Sequence, residues 1–304
     1  MDIGIFSMNT EYTMPADELA RECEIRGFES LWLPEHTHVP AVRGDPSPIH
    51  SPSMSSAVIA APEGAVKEGD WLTEDFFHMS DPFIGLAAAA AVTKTLKLGT
   101  AICLAALHDP IIQAKQVASL DHISNGRFIF GVGTGWINEE IANHGVPPKR
   151  RWKVLTEKIE AMKEMWTQEE ASYHGEFVNF DRIISYPKPL TKPHPPIVMG
   201  SMGSTVALRR VVDLCDGWLP EADMLPNMPT ATADLHDMAR AAGRDPGSIP
   251  ISFLCIDAPD MERLERFRAC GAVRTVARVP TEGRDVILPF LDEYAKFSEQ
   301  LADR

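Results

Sequence analysis

The chain has 304 residues, 44% of them hydrophobic, and a formal net charge of -14. That length allows one barrel-sized domain or two smaller ones, and the acidity argues against nucleic acid as a partner. No continuous apolar segment reaches membrane-spanning length, and the opening MDIGIF shows neither a basic region nor an apolar signal core, so a cytoplasmic protein without a membrane segment is expected.

In chain order, Asp2–Phe6 reads as a short apolar strand, and Thr13 opens a helical pattern that Arg26-Gly27 stops. Ser30–Leu33 is a second strand ending in Pro34-Glu35-His36-Thr37-His38. The stretch to Ser80 is rich in Pro, Ser and Gly and shows little periodicity, and a loop of that length in a compact domain is usually functional or disordered. Trp71, Phe76 and Phe77 predict that part of it folds back on the body. Asp81-Pro82 opens an alanine-rich helix, Leu98–Leu104 is strand three, and Asp109-Pro110 to Asn125-Gly126 brackets a crossover helix. Phe128–Val132 is strand four and runs into the glycine-rich turn Gly133–Trp136. Pro147–Arg151 leads into a helix with Trp152, Leu155, Ile159, Met162 and Trp166 at helical spacing. Ala171–Tyr173 and Phe177–Phe180 flank His174-Gly175-Glu176 as a hairpin, closed by a proline-rich linker. Ile197–Met199 is strand five, followed by Gly200–Ser204 and a helix to Leu214. Asp216–Leu219, Ile251–Ile256 and Ala272–Ala277 complete the strands, with helices over Thr232–Ala242, Met261–Cys270 and Arg284–Leu301.

Eight strands, each followed by a helix, predict an all-parallel α/β protein, and eight units over this length predict a (β/α)8 TIM barrel. Its insertions fall after strand two (residues 34–80) and between strands four and five (residues 167–196), within one domain spanning 1–304. A doubly wound sheet is the structural rival. Five cysteines, odd in number and mostly in apolar runs, read as buried reduced thiols.

In a barrel, chemistry lies at the carboxyl ends of the strands. Gly200–Ser204 leads into a helix N-terminus, where backbone N–H groups suit a phosphate, although a plain helix cap fits the same residues. GVGTG has the wrong spacing for a dinucleotide fingerprint. His36 and His38 form an H-x-H at a strand end, but strands five to eight offer no further histidine there, so no metal site is expected. His36 reads either as a structural histidine or as a proton donor or acceptor beside a cofactor.

SLWLPEHTH, LKLGTAIC and HDPIIQAKQVASLDHISNGRFIFGVGTGW, followed by RRWKVLTEKIEAMKEMWT, GEFVNF, PPIVMGSMGS and CDGWLP, resemble the luciferase-like monooxygenase superfamily, in its coenzyme F420-dependent branch. The resemblance covers most of residues 1–220 and implies a TIM barrel with a flavin or deazaflavin at the carboxyl end. It implies a bulge at the end of strand three, often with a non-proline cis peptide, near Ala101-Ile102. Cofactor contacts are implied for Thr100, Ala101, Ile102, Thr134, Gly135 and Asn138, and for the phosphate at Gly200, Ser201, Met202, Gly203 and Ser204. Glu35 and His36 take the place of the residues near the reactive ring and are the implied catalytic pair. Trp136 stands where sugar-phosphate members carry a glutamate, and is expected, with His78 and Trp71, to meet the substrate. The implied reaction is hydride transfer between coenzyme F420 and a small organic substrate. The alternative is an FMN-dependent monooxygenase supplied by a partner flavin or deazaflavin reductase. A non-catalytic flavin-binding barrel and a metal-dependent hydrolase are more distant alternatives. A homodimer is expected.

Overall fold

The computed structural model describes residues 1–42, 44, 72–225 and 227–302. Trp71 and most of the loop between Pro40 and Ser80 therefore lie outside the described residues.

Eight parallel strands form one sheet: β1 (Asp2–Phe6), β2 (Ser30–Leu33), β3 (Lys97–Thr100), β4 (Phe128–Val132), β7 (Ile197–Met199), β8 (Gly217–Trp218), β9 (Ser252–Cys255) and β10 (Arg274–Arg278). β5 (Ala171–His174) and β6 (Asn179–Ile183) form a separate antiparallel hairpin. The order in the large sheet is β8-β7-β4-β3-β2-β1-β10-β9, and isolated bridges Trp218–Ile251 and Glu221–Leu254 bring the two ends together. The result is a (β/α)8 TIM barrel, as the strand count predicts.

The outer helices are α1 (Ala16–Ile25), α2 (Pro82–Val92), α3 (Pro110–Ile123), α5 (Arg151–Thr167), α6 (Thr205–Leu214), α7 (Met228–Ala241), α8 (Met261–Ala269) and α9 (Arg284–Ala302). A six-residue helix, α4 (Asn138–Asn143), precedes α5. Caps set several starts: the Asp81 carboxylate accepts from the Ile84 N–H at 2.9 Å, and Asp109 accepts from Ile111 and Ile112 at 3.0 and 2.9 Å. Both caps precede a proline at the first helical position, where its missing N–H costs nothing.

Alternation along each strand divides the core. Ile3, Ile5, Leu31 and Leu33 face the helices, while Phe6, Met8, Trp32, Ala101, Ile129, Val198, Leu219 and Val276 cluster inside the barrel. Trp32 is the largest interior plug. A Cβ at Gly99 would come within 2.3 Å of its ring, so a glycine on the neighbouring strand leaves room for the indole. At its Nε1 end the ring donates to Ser30 Oγ at 2.7 Å, which satisfies the one polar atom buried with it.

Several expected boundaries move by one to four residues, and two of the shifts have a visible structural setting. The apolar run Leu98–Leu104 stops being a ladder strand at Thr100; the Ala101-Ile102 peptide that follows is cis, and the chain meets β4 again at the isolated Cys103–Val132 bridge. The second hairpin strand begins at Asn179, not Phe177, because the Phe177 and Val178 N–H groups donate to the Glu157 carboxylate on α5 at 2.6 and 3.2 Å. The five cysteines are all free and four are buried. Among the described residues no helix is long and apolar enough to cross a membrane.

Candidate active site

A cavity of about 530 Å³ opens at the carboxyl ends of the barrel strands. Its floor is the end of β3. The cis Ala101-Ile102 peptide lies there, and the Ile102 side chain points across the ends of β4 and β7. A Cβ at Gly133 or Gly200 would fall 1.9 Å or 2.5 Å from Ile102 side-chain carbons, so both positions must be bare for Ile102 to sit where it does.

His36, after β2, lines the cavity with its side chain only 5% exposed. Its Nδ1 is 2.7 Å from Glu140 Oε2, and the other Glu140 oxygen accepts from the Thr37 N–H at 2.9 Å. The Glu140 side chain is fully buried on α4, so the carboxylate fixes the imidazole from behind. Nε2 of His36 has no partner among the described residues. Phe76 and Trp136 meet the ring edge-on at centroid distances of 5.5 and 5.6 Å, and each other at 6.0 Å, forming an apolar box around it.

Glu35 is not the partner of its neighbour. One of its oxygens accepts from the Leu104 N–H at 2.6 Å and the other meets His108 Nε2 at 2.9 Å. Burial opposes its ionisation, but the hydrogen bond and charge of His108 and the Leu104 N–H outweigh this, and the carboxyl lies below its ordinary value. His108 is correspondingly raised: burial works against its charge and Glu35 more than offsets it. Glu35, Cys103 and His108 offer three ligand atoms within 4.8 Å of one another, but Glu35 and His108 are spent on each other and Gln113 donates to the Cys103 sulfur at 3.1 Å. This is a cross-brace between the ends of β2 and β3. Nor do His36 and His38 converge: His38 turns to Thr37 and Asn143 outside the cavity.

Across from the imidazole box, Gly200, Ser201, Met202 and Ser204 line the cavity below the start of α6, where Ser204 caps the helix by accepting from Ala207 N–H at 3.3 Å. The Ser201 hydroxyl is buried with no hydrogen-bond partner. Two guanidiniums join this corner. Arg151 opens α5 and has a buried Nε without a partner, and Arg210 lies on α6 with its guanidinium 4.5 Å from the Trp152 ring centroid. Neither makes an ion pair among the described residues, and burial pushes both below the ordinary arginine value. Half-buried cations without an ion pair, beside an orphaned hydroxyl and a helix N-terminus, form a donor set suited to an anion such as a phosphate.

The remaining wall, at the ends of β8, β9 and β10, carries two more charged groups. Glu221 makes no side-chain hydrogen bond or ion pair among the described residues, and burial, with the Asp223 and Asp257 carboxylates adding to it, pushes its carboxyl up to about 7. Arg278 holds Asp75 at 2.5 Å and Thr281 at 3.1 Å through one nitrogen, Nη2.

Of the residues singled out in the sequence, Glu35, His36, Ala101, Ile102, Thr134, Gly135, Trp136, Gly200, Ser201, Met202 and Ser204 meet at this cavity. Four others do not line it. Thr100 is buried with its hydroxyl donating to the Gly131 carbonyl at 2.7 Å, and Gly203 packs on Ala231 and Leu225. Asn138 begins α4, and His78 sits against Glu11 at 2.6 Å. Arg210 carries no mark in the sequence, whereas Arg151 belongs to the basic run KRRWK near the mouth, and Glu140, Glu221 and Arg278 follow strand ends, though none of them has a role assigned from the sequence.

Over 297 residues, 97% of this chain and 98% of the relative, the sequence is 34% identical to the uncharacterized protein Rv0953c of Mycobacterium tuberculosis (strain ATCC 25618 / H37Rv). It is 37% identical over 160 residues to the FMNH(2)-dependent dimethylsulfone monooxygenase of Pseudomonas putida, covering 51% of this chain and 43% of that one. In fold it is similar to an F420-dependent secondary alcohol dehydrogenase solved with an F420-acetone adduct, with a TM-score of 0.72 at 19% identity over 97% of each chain. The family model for luciferase-like monooxygenases matches residues 68–291, and the chain belongs to that family.

Proposed function

We propose that the protein is a coenzyme F420-dependent oxidoreductase that passes hydride between the deazaflavin and a small organic substrate. The observation that carries this reading is His36, anchored through Nδ1 by the buried Glu140 carboxylate and boxed by Phe76 and Trp136, with Nε2 left for a reacting group. The donor set at Ser201, Arg151 and Arg210 fits a phosphate-bearing cofactor, and these residues would hold its anionic end. When bound, the deazaflavin supplies a two-electron hydride carrier. The protein's part is to exclude water with the Phe76–Trp136 box, to orient the imidazole through Glu140, and to hold or release a proton at His36 Nε2 as the substrate changes charge. The fixed Glu140 contact keeps Nδ1 occupied, so proton exchange is confined to the cavity side.

An FMN-dependent monooxygenase supplied by a partner reductase is the second reading, favoured by the similarity to the dimethylsulfone monooxygenase. Both cofactors carry a phosphate, so the anion corner supports either one. Titration of the purified protein with F420 and with FMN, followed by cofactor absorbance and tryptophan quenching, separates them. The expected result is tighter F420 binding, with His36→Ala keeping that affinity and losing turnover by about a hundredfold or more. Tight FMN binding without F420 binding overturns the choice of cofactor, and survival of both binding and turnover in His36→Ala overturns the role of His36.

A further inference from the structure

In the closed ring of strands, β2 and β8 are four strands apart in either direction, so His36 and Glu221 leave opposite sides of the barrel and line one cavity between them. Glu221 pairs across the β8–β9 seam with Leu254. On the other flank of β9, Ala277 is in register with Cys255, so Arg278 stands level with Ile256. Leu254 and Ile256 both line the cavity. Two strand spacings of about 4.8 Å, combined with the two-residue stagger of about 6.6 Å along β9, put the backbones of Glu221 and Arg278 roughly 12 Å apart, with an apolar strip between.

The two side chains form no ion pair with each other, and their neighbours are occupied. Asp223 is committed to Arg263, Asp75 to Arg278, and Asp257 is exposed. Arg278 spends only Nη2 on Asp75 and Thr281, and its Nε and Nη1 make no hydrogen bond among the described residues. One acceptor and one double donor therefore face a cavity whose adjoining surface is Leu219, Met224, Leu254 and Ile256.

We propose that Glu221 and Arg278 form a recognition pair for an amide-type group of the substrate, the carboxyl accepting its N–H and the guanidinium donating to its C=O. This rests on the reading above only in assigning the cofactor to the Gly200–Ser204 side, which leaves this wall to the substrate. A carboxylate ligand would meet Glu221 as a like charge, and an ammonium ligand would meet Arg278. An amide offers both polarities with no net charge to desolvate. A protonated Glu221 still accepts the amide N–H through its carbonyl oxygen, and the like-charge penalty on a carboxylate ligand belongs to its ionised form.

The test uses the full chain with benzamide and with N,N-dimethylbenzamide, which keeps the C=O and lacks the N–H. Binding is read by tryptophan quenching, because Trp136 and Trp152 line the cavity, with and without bound cofactor. Benzamide is expected to bind about tenfold more tightly than its dimethyl analogue. Glu221→Leu erases that preference, and Glu221→Gln retains it because the amide oxygen accepts the same N–H. Equal binding of the two probes by the wild-type protein overturns the proposal without any variant. A preference that survives Glu221→Leu also overturns it, as does a Glu221→Leu loss of F420 or FMN affinity, which would turn this wall toward the cofactor. Failure of both cofactors to bind refutes the cofactor reading alone, since the probes are also measured on the cofactor-free chain.

Discussion

Glu221→Gln makes the cost of the unpartnered carboxyl measurable. In the unfolded chain the carboxyl ionises near 4.5, whereas in the folded protein burial and the neighbouring Asp223 move it up to about 7. Between these two values the folded state binds more protons than the unfolded state, so stability falls as pH rises. The contribution of the group is fully present below 4.5 and is lost as pH passes through about 7. The shift from 4.5 to about 7, at 1.36 kcal/mol per pH unit, amounts to about 3 kcal/mol. Glutamine keeps the shape and the polar atoms and cannot ionise. Urea denaturation of both proteins at half-unit steps from pH 5 to pH 8.5 isolates the effect, because every other titrating group cancels in the difference. The variant should gain on the wild type steadily with pH and level off above pH 7.5, by about 2–3 kcal/mol in all. A stability difference that is flat with pH would show that the carboxyl ionises normally, either because solvent reaches it or because a partner holds it.

Glu140→Gln keeps a hydrogen-bonding group against His36 Nδ1 but removes its charge, and should lower kcat by about tenfold to a hundredfold while leaving cofactor affinity in place. Unchanged kcat would remove Glu140 from the working site. Arg151→Ala and Arg210→Ala should each weaken binding of the phosphate-bearing cofactor by roughly tenfold to a hundredfold, from the loss of a charge-assisted hydrogen bond. The loss should be smaller at high salt, and titration at two ionic strengths checks it; affinity that ignores both substitutions would place the phosphate elsewhere.

Where local chemistry decides, the sequence was readable. β1, β2, β4 and β7 keep their expected limits because each is a short apolar run stopped by polar or turn-forming residues. The starts of α2, α3 and α6 follow from Asp81, Asp109 and Ser204, whose side chains bond to N–H groups two or three residues on. The end of β3 was less legible, because Leu98–Leu104 is apolar throughout and its hydrophobicity carries no mark of where the ladder breaks. α4 is too short to display a period, and so Glu140 looks like one of several acidic residues. Its meaning comes from His36, 104 residues earlier in the chain. The adjacency of Glu35 to His36 pointed the other way, yet successive side chains after a strand diverge, and Glu35 reaches the β3 end instead. The state of Glu221 could not be read locally either. It depends on Asp223 finding Arg263 and Arg278 finding Asp75, both contacts between distant segments.

Ile102 joins three strand ends in one contact, since it occupies the volume that a side chain at Gly133 or Gly200 would need. The three positions therefore behave as a single unit of variation. Any enlargement at 133 or 200 requires a smaller residue at 102, and a smaller residue at 102 leaves a hole in the cavity floor that one of the other two must fill. Among descendants of this sequence, drift at these sites should be rare and should come in pairs, whereas Trp136 and Met224, which also line the cavity but are not locked in this contact, can change one at a time as the preferred substrate changes.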